Sequence, residues 1–375
     1  MKANSITPEI LSAHKTPFLI IDLEKIRQNM RTLREHFSQM GIYYAIKAAP
    51  FDLLLQALAE QGASFDVAST YEVDQLLALG IPPEKMSYSN TIKKPEDIRY
   101  VFEKGIRIFA SDAPSDLIKL AEHALGAKIF FRLNTEGVGA DWPLSHKFGA
   151  TPDEVGELMR QAKGLPLTPY GLSFHVGSQQ RDIRQWDKSI FICHQLCKSA
   201  ARNGTKLKAL NLGGGLPTNY LFPTPPLAEY ATAINRSLAF HFGHTGPKIF
   251  IEPGRYMAGD AGIIVSKVVM IAKRGDDTWV YLDIGKFGGL IETIDESIKY
   301  PITVIGKENS EKTMPVILAG PTCDSMDTLY EKFRYHLPEN LAEGDTVLIH
   351  STGAYTQSYC AVNFNGLPPL KTIFV

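Results

Sequence analysis

Short apolar segments alternate with amphipathic segments from about residue 24 to residue 255. This alternation predicts repeated strand–helix units around a parallel sheet. Eight apolar segments are candidate strands: residues 43–46, 64–67, 86–88, 106–110, 128–133, 171–174, 209–212 and 249–251. Eight such units over roughly 230 residues predict a (β/α)8 barrel, a fold that typically takes about 250 residues.

Two of the intervening helices have clear local signals. Apolar residues recur at helical spacing at four positions, Ile26, Met30, Leu33 and Phe37. Further on, Thr151 and Glu154 form a potential capping box, with Pro152 at the first helical position and Gly164 after the last turn. The sequence therefore predicts helices at both places.

The pattern changes after about residue 259. Short β-rich segments follow one another, separated by turn residues: residues 263–269, 279–283, 302–305, 316–318 and 346–350. They predict a second, all-β domain, and the apolar residues 18–21 are candidates to pair into its sheet. We thus expect a barrel domain over residues 24–258, and a β-domain made of residues 1–23 and 259–375.

Composition and charge narrow the function. The chain has 375 residues, with 39 Lys and Arg against 40 Asp and Glu, a formal charge of −1. This balance provides no basic field for nucleic acid or an anionic membrane surface, and we expect neither as a partner. The four cysteines are too few for a disulfide scaffold and lack zinc-site spacing, so we expect a cytoplasmic protein without a metal. No apolar segment approaches the ~18 residues of a membrane span.

Polar residues at the carboxyl ends of the candidate strands are candidates for catalysis, because barrel enzymes gather their active sites there. They are Lys47, Asp66, Arg132, His175, the run Gly213–Gly215, and Glu252. Lys47 is either a partly desolvated nucleophile or a lysine that keeps its ammonium in water. The glycine run is either an anion site or a tight turn. Arg255 either binds the same anion or forms an ion pair with Glu252.

Other candidate functional residues are explained equally well by purely structural roles. His175 taken alone is typical of a structural histidine, and Ser178 of a turn residue. Cys193 and Cys197 favour core packing over metal binding. Cys323 differs, because it lies in a polar, turn-rich segment.

Eight ordered motifs span the whole chain. They are residues 44–47 (YAIK), 65–69 (FDVAS), 175–178 (HVGS), 213–215 (GGG), 252–255 (EPGR), 320–324 (GPTCD), 353–355 (GAY) and 363–366 (NFNG). In this order and spacing the chain resembles the fold-type III pyridoxal-phosphate decarboxylases, the family of eukaryotic-type ornithine decarboxylase and diaminopimelate decarboxylase.

The resemblance implies roles for these residues. Lys47 would bind the cofactor covalently, His175 would stack on its pyridine ring, and Glu252 would bond the ring nitrogen. Asp66, Glu72 and Arg132 match residues that line and order the site. The resemblance assigns the phosphate to Ser178, Gly213, Gly214, Gly215, Arg255 and Tyr355, with Gly254 in the same cofactor-binding motif.

It also implies a homodimer with shared active sites. Cys323 and Asp324 match residues that one subunit donates to the site of the other, and Cys323 would return a proton to Cα. An acid at position 252 keeps the ring nitrogen protonated, whereas related racemases place an arginine there. The resemblance therefore implies decarboxylation rather than racemisation.

Substrate choice depends on the second domain. Diaminopimelate decarboxylases use an arginine there to bind a distal carboxylate, but this chain has none between Arg274 and Arg334. Instead, acids are present at Glu292, Asp295, Glu296 and Asp324. They favour a distal ammonium, hence L-ornithine giving putrescine in polyamine biosynthesis, or lysine giving cadaverine. Alternatively, the first three of these acids form a solvated turn, and Asp295 and Glu296 compete for the substrate role.

The sequence is also compatible with two other functions. The first is decarboxylation of another or a conjugated amino acid, including meso-diaminopimelate, in a specialised pathway. The second is a regulatory protein without catalysis. The presence of Lys47, His175, Glu252 and Cys323 together favours an enzyme.

Overall fold

The computed structural model describes residues 7–142, 147–243 and 246–375. The chain divides into two compact units. The barrel unit comprises residues 27–217 and 224–254, and the sheet unit comprises residues up to 26, 218–223 and 255–375.

The helices and strands follow one another along the chain. The helices are α1 (Pro8–Ala13), α2 (Leu23–His36), α3 (Asp52–Glu60), α4 (Thr70–Ala78), α5 (Pro95–Glu103), α6 (Pro114–His123), α7 (Pro152–Lys163), α8 (Arg184–Arg202), α9 (Leu227–Phe242) and α10 (Arg255–Ala258). The first eleven strands are β1 (Phe18–Ile21), β2 (Gly41–Ala45), β3 (Ser64–Val67), β4 (Met86–Tyr88), β5 (Ile108–Ser111), β6 (Lys128–Arg132), β7 (Ala140–Trp142), β8 (Thr168–Ser173), β9 (Ser178–Gln180), β10 (Ala209–Asn211) and β11 (Lys248–Ile251). The remaining strands are β12 (Gly262–Arg274), β13 (Asp277–Leu282), β14 (Ile302–Val304), β15 (Thr313–Ala319), β16 (Thr328–Pro338), β17 (Thr346–His350) and β18 (Lys371–Phe374).

A closed parallel barrel is the frame of the barrel unit. Within the described residues it has eight strands, in the order β2, β3, β4, β5, β6, β8, β10 and β11, and β11 pairs back onto β2. Each strand overlaps one of the eight predicted apolar segments, so the barrel prediction is confirmed. The polar strands β7 and β9, which pair with each other, were not predicted.

The predicted helix signals are confirmed as well. The Thr151 hydroxyl accepts the Glu154 amide at the start of α7, and the Glu154 carboxylate accepts the Thr151 amide at 2.8 Å. In α2, Met30 and Leu33 are buried, as is Phe37 just beyond its end.

Large and very small side chains alternate in the barrel core. Phe130 packs with Ala110 and Ala209. Gly171 is required beside them, because a Cβ there would collide with the Ala209 carbonyl and the Phe130 ring. This packing fixes the parallel register of β8 against its neighbours.

The sheet unit contains a curled sheet. Its main path runs β14, β17, β12, β13, β15 and β16, and β1 joins it through β12. β1 is antiparallel to β12 and parallel to β18, so the apolar residues 18–21 do pair into this sheet. Its core includes Phe18, Ile20, Ile263, Val265 and Leu348. In the described ranges, no helix is long and apolar enough to cross a membrane.

Candidate active site

Lys47 lies directly beyond the carboxyl end of β2. A single helical turn, Ile46–Ala48, carries it, with Ile46 and Ala48 buried. The side chain of Lys47 is 50% exposed, and its Nζ lies 3.8 Å from Oδ2 of Asp66 at the neighbouring strand β3. The amine is thus accessible and at the same time close to a buried acid.

Two acids lie at the end of β3 and in the helix that follows it, Asp66 in β3 and Glu72 in α4. Asp66 is buried, and no described residue donates a hydrogen bond to its Oδ1. Burial raises the pKa of Asp66, while the charge of Lys47 opposes that shift. Burial likewise raises the pKa of Glu72 to about 7, although Oε2 of Glu72 accepts the Ala68 amide at 2.6 Å.

Glu252 follows β11, on the strand that closes the barrel against β2. Its Oε1 accepts hydrogen bonds from Ser89 Oγ at 2.9 Å and from Asn211 Nδ2 at 2.5 Å. Burial, and then the charge of Asp66, raises the pKa of Glu252 to about 7, while the two donors oppose the rise. The carboxyl group is therefore poised between its two protonation states near neutral pH.

The glycine turn follows β10, and its geometry requires glycine. Gly213 and Gly215 have φ of 64° and 109°. A Cβ on Gly213 would collide with the Phe174 carbonyl, and one on Gly214 would lie 2.9 Å from Nε2 of His175. The run therefore lets the His175 ring and backbone amides approach closely.

The ring of His175 is fixed and neutral. Its Nδ1 accepts the Gly177 amide at 3.1 Å, which assigns the ring proton to Nε2. Burial, followed by the charges of Arg132 and Lys47, lowers the pKa of His175 to about 3. Arg132 ends β6, and its guanidinium lies over the Phe148 ring at 4.8 Å.

Arg255 lies in the sheet unit within a buried cluster. Its Nη1 and Nη2 bind the Glu292 carboxylate at 2.7 and 2.5 Å, and Nη1 also bonds the Tyr220 hydroxyl at 2.6 Å. The ring of Tyr355 lies 4.7 Å from the guanidinium carbon. Glu292 is 3% exposed, so the interpretation of this acid as part of a solvated turn is wrong.

The turn that carries Cys323 is exposed but organised. Asn365 donates to Cys323 Sγ at 3.2 Å and accepts the Cys323 amide at 3.3 Å. Asp324 Oδ1 accepts the Met326 amide at 2.8 Å. Buried Asp327 accepts both the amide and the hydroxyl of Thr322.

Asp295 and Glu296, the two acids that compete for the substrate-binding role, differ in their surroundings. Glu296 accepts three backbone amides, those of Glu331, Lys332 and Phe333, at 2.6–2.9 Å. Asp295 is exposed and has a left-handed φ of 52°. A substrate role for either residue stays a prediction.

The barrel unit brings Lys47, Asp66 and Glu252 together with the glycine turn and His175. Ser178 begins β9 and is partly buried, and Gly254 is buried directly after Glu252 and Pro253. Sequence reasoning missed Ser89 and Asn211. Both lie where a barrel strand ends, and that position is the signal that could have identified them.

These groups fit pyridoxal phosphate. An accessible amine suits its aldehyde, a carboxyl group its ring nitrogen, and a glycine turn with close backbone approach its phosphate. The Asp66 Oδ1 that lacks a donor marks a polar position suited to a further partner.

Comparisons with known proteins agree with this fit. Residues 23–259 match the family model described as pyridoxal-dependent decarboxylase, pyridoxal binding domain. The chain is 34% identical over 365 residues to lysine/ornithine decarboxylase from Selenomonas ruminantium. The aligned region covers 96% of this chain and 89% of that protein.

Two solved structures illustrate the likeness in fold. Lysine/ornithine decarboxylase from Vibrio vulnificus, complexed with putrescine, has a TM-score of 0.86 and 30% identity over 97% of this chain and 96% of that chain. Arginine decarboxylase from Paramecium bursaria Chlorella virus, bound to agmatine, has a TM-score of 0.92 and 26% identity over 99% of this chain and 100% of that chain. The chain therefore belongs to the pyridoxal-dependent decarboxylase family, and it is a pyridoxal-phosphate enzyme that removes carbon dioxide from an amino acid.

Proposed function

We propose that the preferred substrate is L-ornithine, which gives putrescine for polyamine biosynthesis, and that lysine is accepted with lower efficiency. Decarboxylation itself is supported by the carboxyl group of Glu252, which two neutral donors hold at a barrel strand end. An acid there supports a protonated ring nitrogen. The bound cofactor then supplies an electron sink for the bond that breaks to carbon dioxide.

The residues of this chain divide the remaining work. Lys47 would hold the cofactor through its accessible amine. His175, neutral because of its burial, offers its ring face without adding a positive charge that would compete with a protonated ring nitrogen. The amides of the turn Gly213–Gly215 would bind the phosphate, and Asp66 places a buried acid 3.8 Å from the Lys47 amine.

Relatives and acids support the choice of a diamino acid. One relative is named a lysine/ornithine decarboxylase, and a second was solved with putrescine. Asp324 and the exposed Asp295 are carboxylates suited to a distal ammonium. Because one methylene is worth only ~1–3 kcal/mol, we expect overlapping use of ornithine and lysine.

We also propose a homodimer in which Cys323 and Asp324 act at the site of the other subunit, and in which Cys323 returns the proton to Cα. The exposure of Cys323 and its contact with Asn365 support this role. Mixing Lys47→Ala with Cys323→Ala subunits should restore some activity, and no recovery would contradict shared sites. Because all four cysteines are free thiols, we propose the cytoplasm as the compartment.

A substrate panel tests the proposed activity. Carbon dioxide release is measured with L-ornithine, lysine, arginine and meso-diaminopimelate at equal concentrations. We expect kcat/KM to be highest for ornithine and lowest for diaminopimelate, whose distal carboxylate meets acids rather than an arginine. A higher kcat/KM for lysine, arginine or meso-diaminopimelate than for ornithine would contradict the proposal. Activity with none of the four would contradict it as well and would favour a conjugated substrate.

A further inference from the structure

Glu252 receives its hydrogen bonds on one oxygen only. Ser89 Oγ and Asn211 Nδ2 both donate to Oε1, at 2.9 and 2.5 Å. Among the described residues, none donates to Oε2. A carboxylate oxygen has two lone pairs in its plane, so two donors saturate Oε1 and leave Oε2 for another partner.

Ser89 is held in place from several sides. It follows β4, and its amide donates to the Val67 carbonyl at 3.1 Å. The adjacent Asn90 donates to the Ala68 carbonyl at 3.2 Å, and the buried ammonium of Lys93 donates to the Asn90 carbonyl at 3.0 Å. The hydroxyl of Ser89 therefore approaches Glu252 from a fixed segment.

Asn211 connects the glycine turn to Glu252. It is buried, and its Oδ1 accepts the Gly213 amide at 2.9 Å. An amide oxygen is the only atom of this side chain that can accept, so the contact fixes the orientation and directs Nδ2 towards Glu252. Asn211 thus fixes the position of Glu252 relative to the turn Gly213–Gly215.

Both contacts favour the ionised carboxylate. Donors to an anionic oxygen form stronger hydrogen bonds than donors to a neutral one. They oppose the burial that raises the pKa of Glu252. Ser89 and Asn211 therefore fix the direction of this acid and favour its charged form.

We infer that Ser89 and Asn211 are positioning residues that occupy Oε1 of Glu252 and so direct its Oε2 to the ring nitrogen of the cofactor. The inference rests on the proposed function in one respect, that Glu252 faces this nitrogen. It assigns to two residues outside the recognised motifs a part in selecting a nitrogen-containing ring.

The test compares two cofactors in the holoenzyme. One is pyridoxal phosphate, and the other is its deaza analogue, in which a C–H group replaces the ring nitrogen. The rate at which each is lost from the protein is measured under trapping conditions at pH 8. We expect Ser89→Ala to speed the loss of pyridoxal phosphate about tenfold and to leave the loss of the analogue unchanged.

Three further variants sharpen the comparison. Ser89→Thr keeps a hydroxyl and should behave as the unaltered protein. Asn211→Asp keeps the acceptor for Gly213 but loses the donor, so it should also speed the loss of pyridoxal phosphate selectively. Ser189→Ala is the matched control, because Ser189 is a buried serine within helix α8 whose Oγ donates to the Gln185 carbonyl at 3.0 Å, and it does not lie at a strand end. It should leave both rates unchanged.

The outcomes separate this inference from the proposed function. Equal acceleration for both cofactors in Ser89→Ala, or acceleration for neither, would overturn the positioning role. If Glu252→Gln loses the preference for pyridoxal phosphate while Ser89→Ala and Asn211→Asp keep it, only the inference fails. If the unaltered protein does not prefer pyridoxal phosphate to the analogue, the role of Glu252 in the proposed function fails as well.

Discussion

Glu252 in the barrel unit and Glu292 in the sheet unit are both acids inside the protein, but their partners differ. Glu252 is bound by a hydroxyl and an amide, and burial raises its pKa to about 7. Glu292 is bound by the two-pronged guanidinium of Arg255. Neutral partners leave an acid able to change its charge and meet a ligand, whereas a bidentate arginine commits it to structure. We therefore expect activity to depend most on the first acid and stability on the second.

The largest expected effect is on catalysis. Glu252→Gln keeps the shape of the side chain but removes the negative charge, so we expect kcat to fall on the order of 10²–10³-fold. At pH 5 the free energy of unfolding should change by less than about 1 kcal/mol, because Glu252 is protonated in the folded protein at that pH and the amide is equally uncharged. Steady-state kinetics and urea denaturation of the same preparation measure both. Full activity in Glu252→Gln would contradict the assignment of Glu252 to catalysis and Glu292 to stability.

The second effect is on stability. Glu292→Gln leaves the buried guanidinium of Arg255 without a countercharge, and we expect a loss of about 3 kcal/mol in the free energy of unfolding. Urea denaturation followed by circular dichroism measures this loss. The exposed pair Arg334–Asp277 provides the control, because Asp277→Asn should cost less than about 1 kcal/mol. Equal losses in the two variants would mean that burial adds nothing to the Arg255 pair.

The smallest effect concerns pH. The folded-state pKa of Glu252 is raised from 4.5 to about 7, so the folded protein holds a proton that the unfolded chain releases. Its contribution to stability is therefore present below pH 4.5 and is lost as pH rises to about 7. Between pH 4.5 and 7 we expect the free energy of unfolding of the cofactor-free protein to fall by about 2 kcal/mol more than that of Glu252→Gln. This figure is reduced from the full pKa shift because Glu252 is only partly shielded from solvent. Parallel pH curves for the two proteins would show that Glu252 has an ordinary pKa.

The barrel could be predicted because its strands are buried on both faces and so read as apolar runs. β16 and β18 were missed for the opposite reason. β16 mixes exposed charged residues with buried tyrosines, and β18 is a four-residue strand near the end of the chain. Neither gives a continuous apolar signal. The partner of β18 is also distant in sequence, because β18 pairs with β1.

The site followed the same rule. Lys47, His175 and Glu252 could be identified because each belongs to a motif at a strand end. Ser89 was missed because it belongs to no such motif and its partner lies 163 residues away, so its position at a strand end was the one available signal. The partner of Arg255 was likewise hidden, because Glu292 is 37 residues further along and lies in a segment whose turns gave no sign of burial.

We expect the accessible amine of Lys47, next to Asp66, to bind the aldehyde of pyridoxal phosphate, and the roles proposed for the other site residues depend on this bond. Borohydride reduction of the loaded protein, followed by peptide mass mapping, tests it most directly. Lys93 is an internal control, because its ammonium is 1% exposed and bound to Asp116 at 2.8 Å. We predict a reduced pyridoxyl group on Lys47 and none on Lys93. A label on another lysine with Lys47 unmodified, or no label at all, would contradict the account.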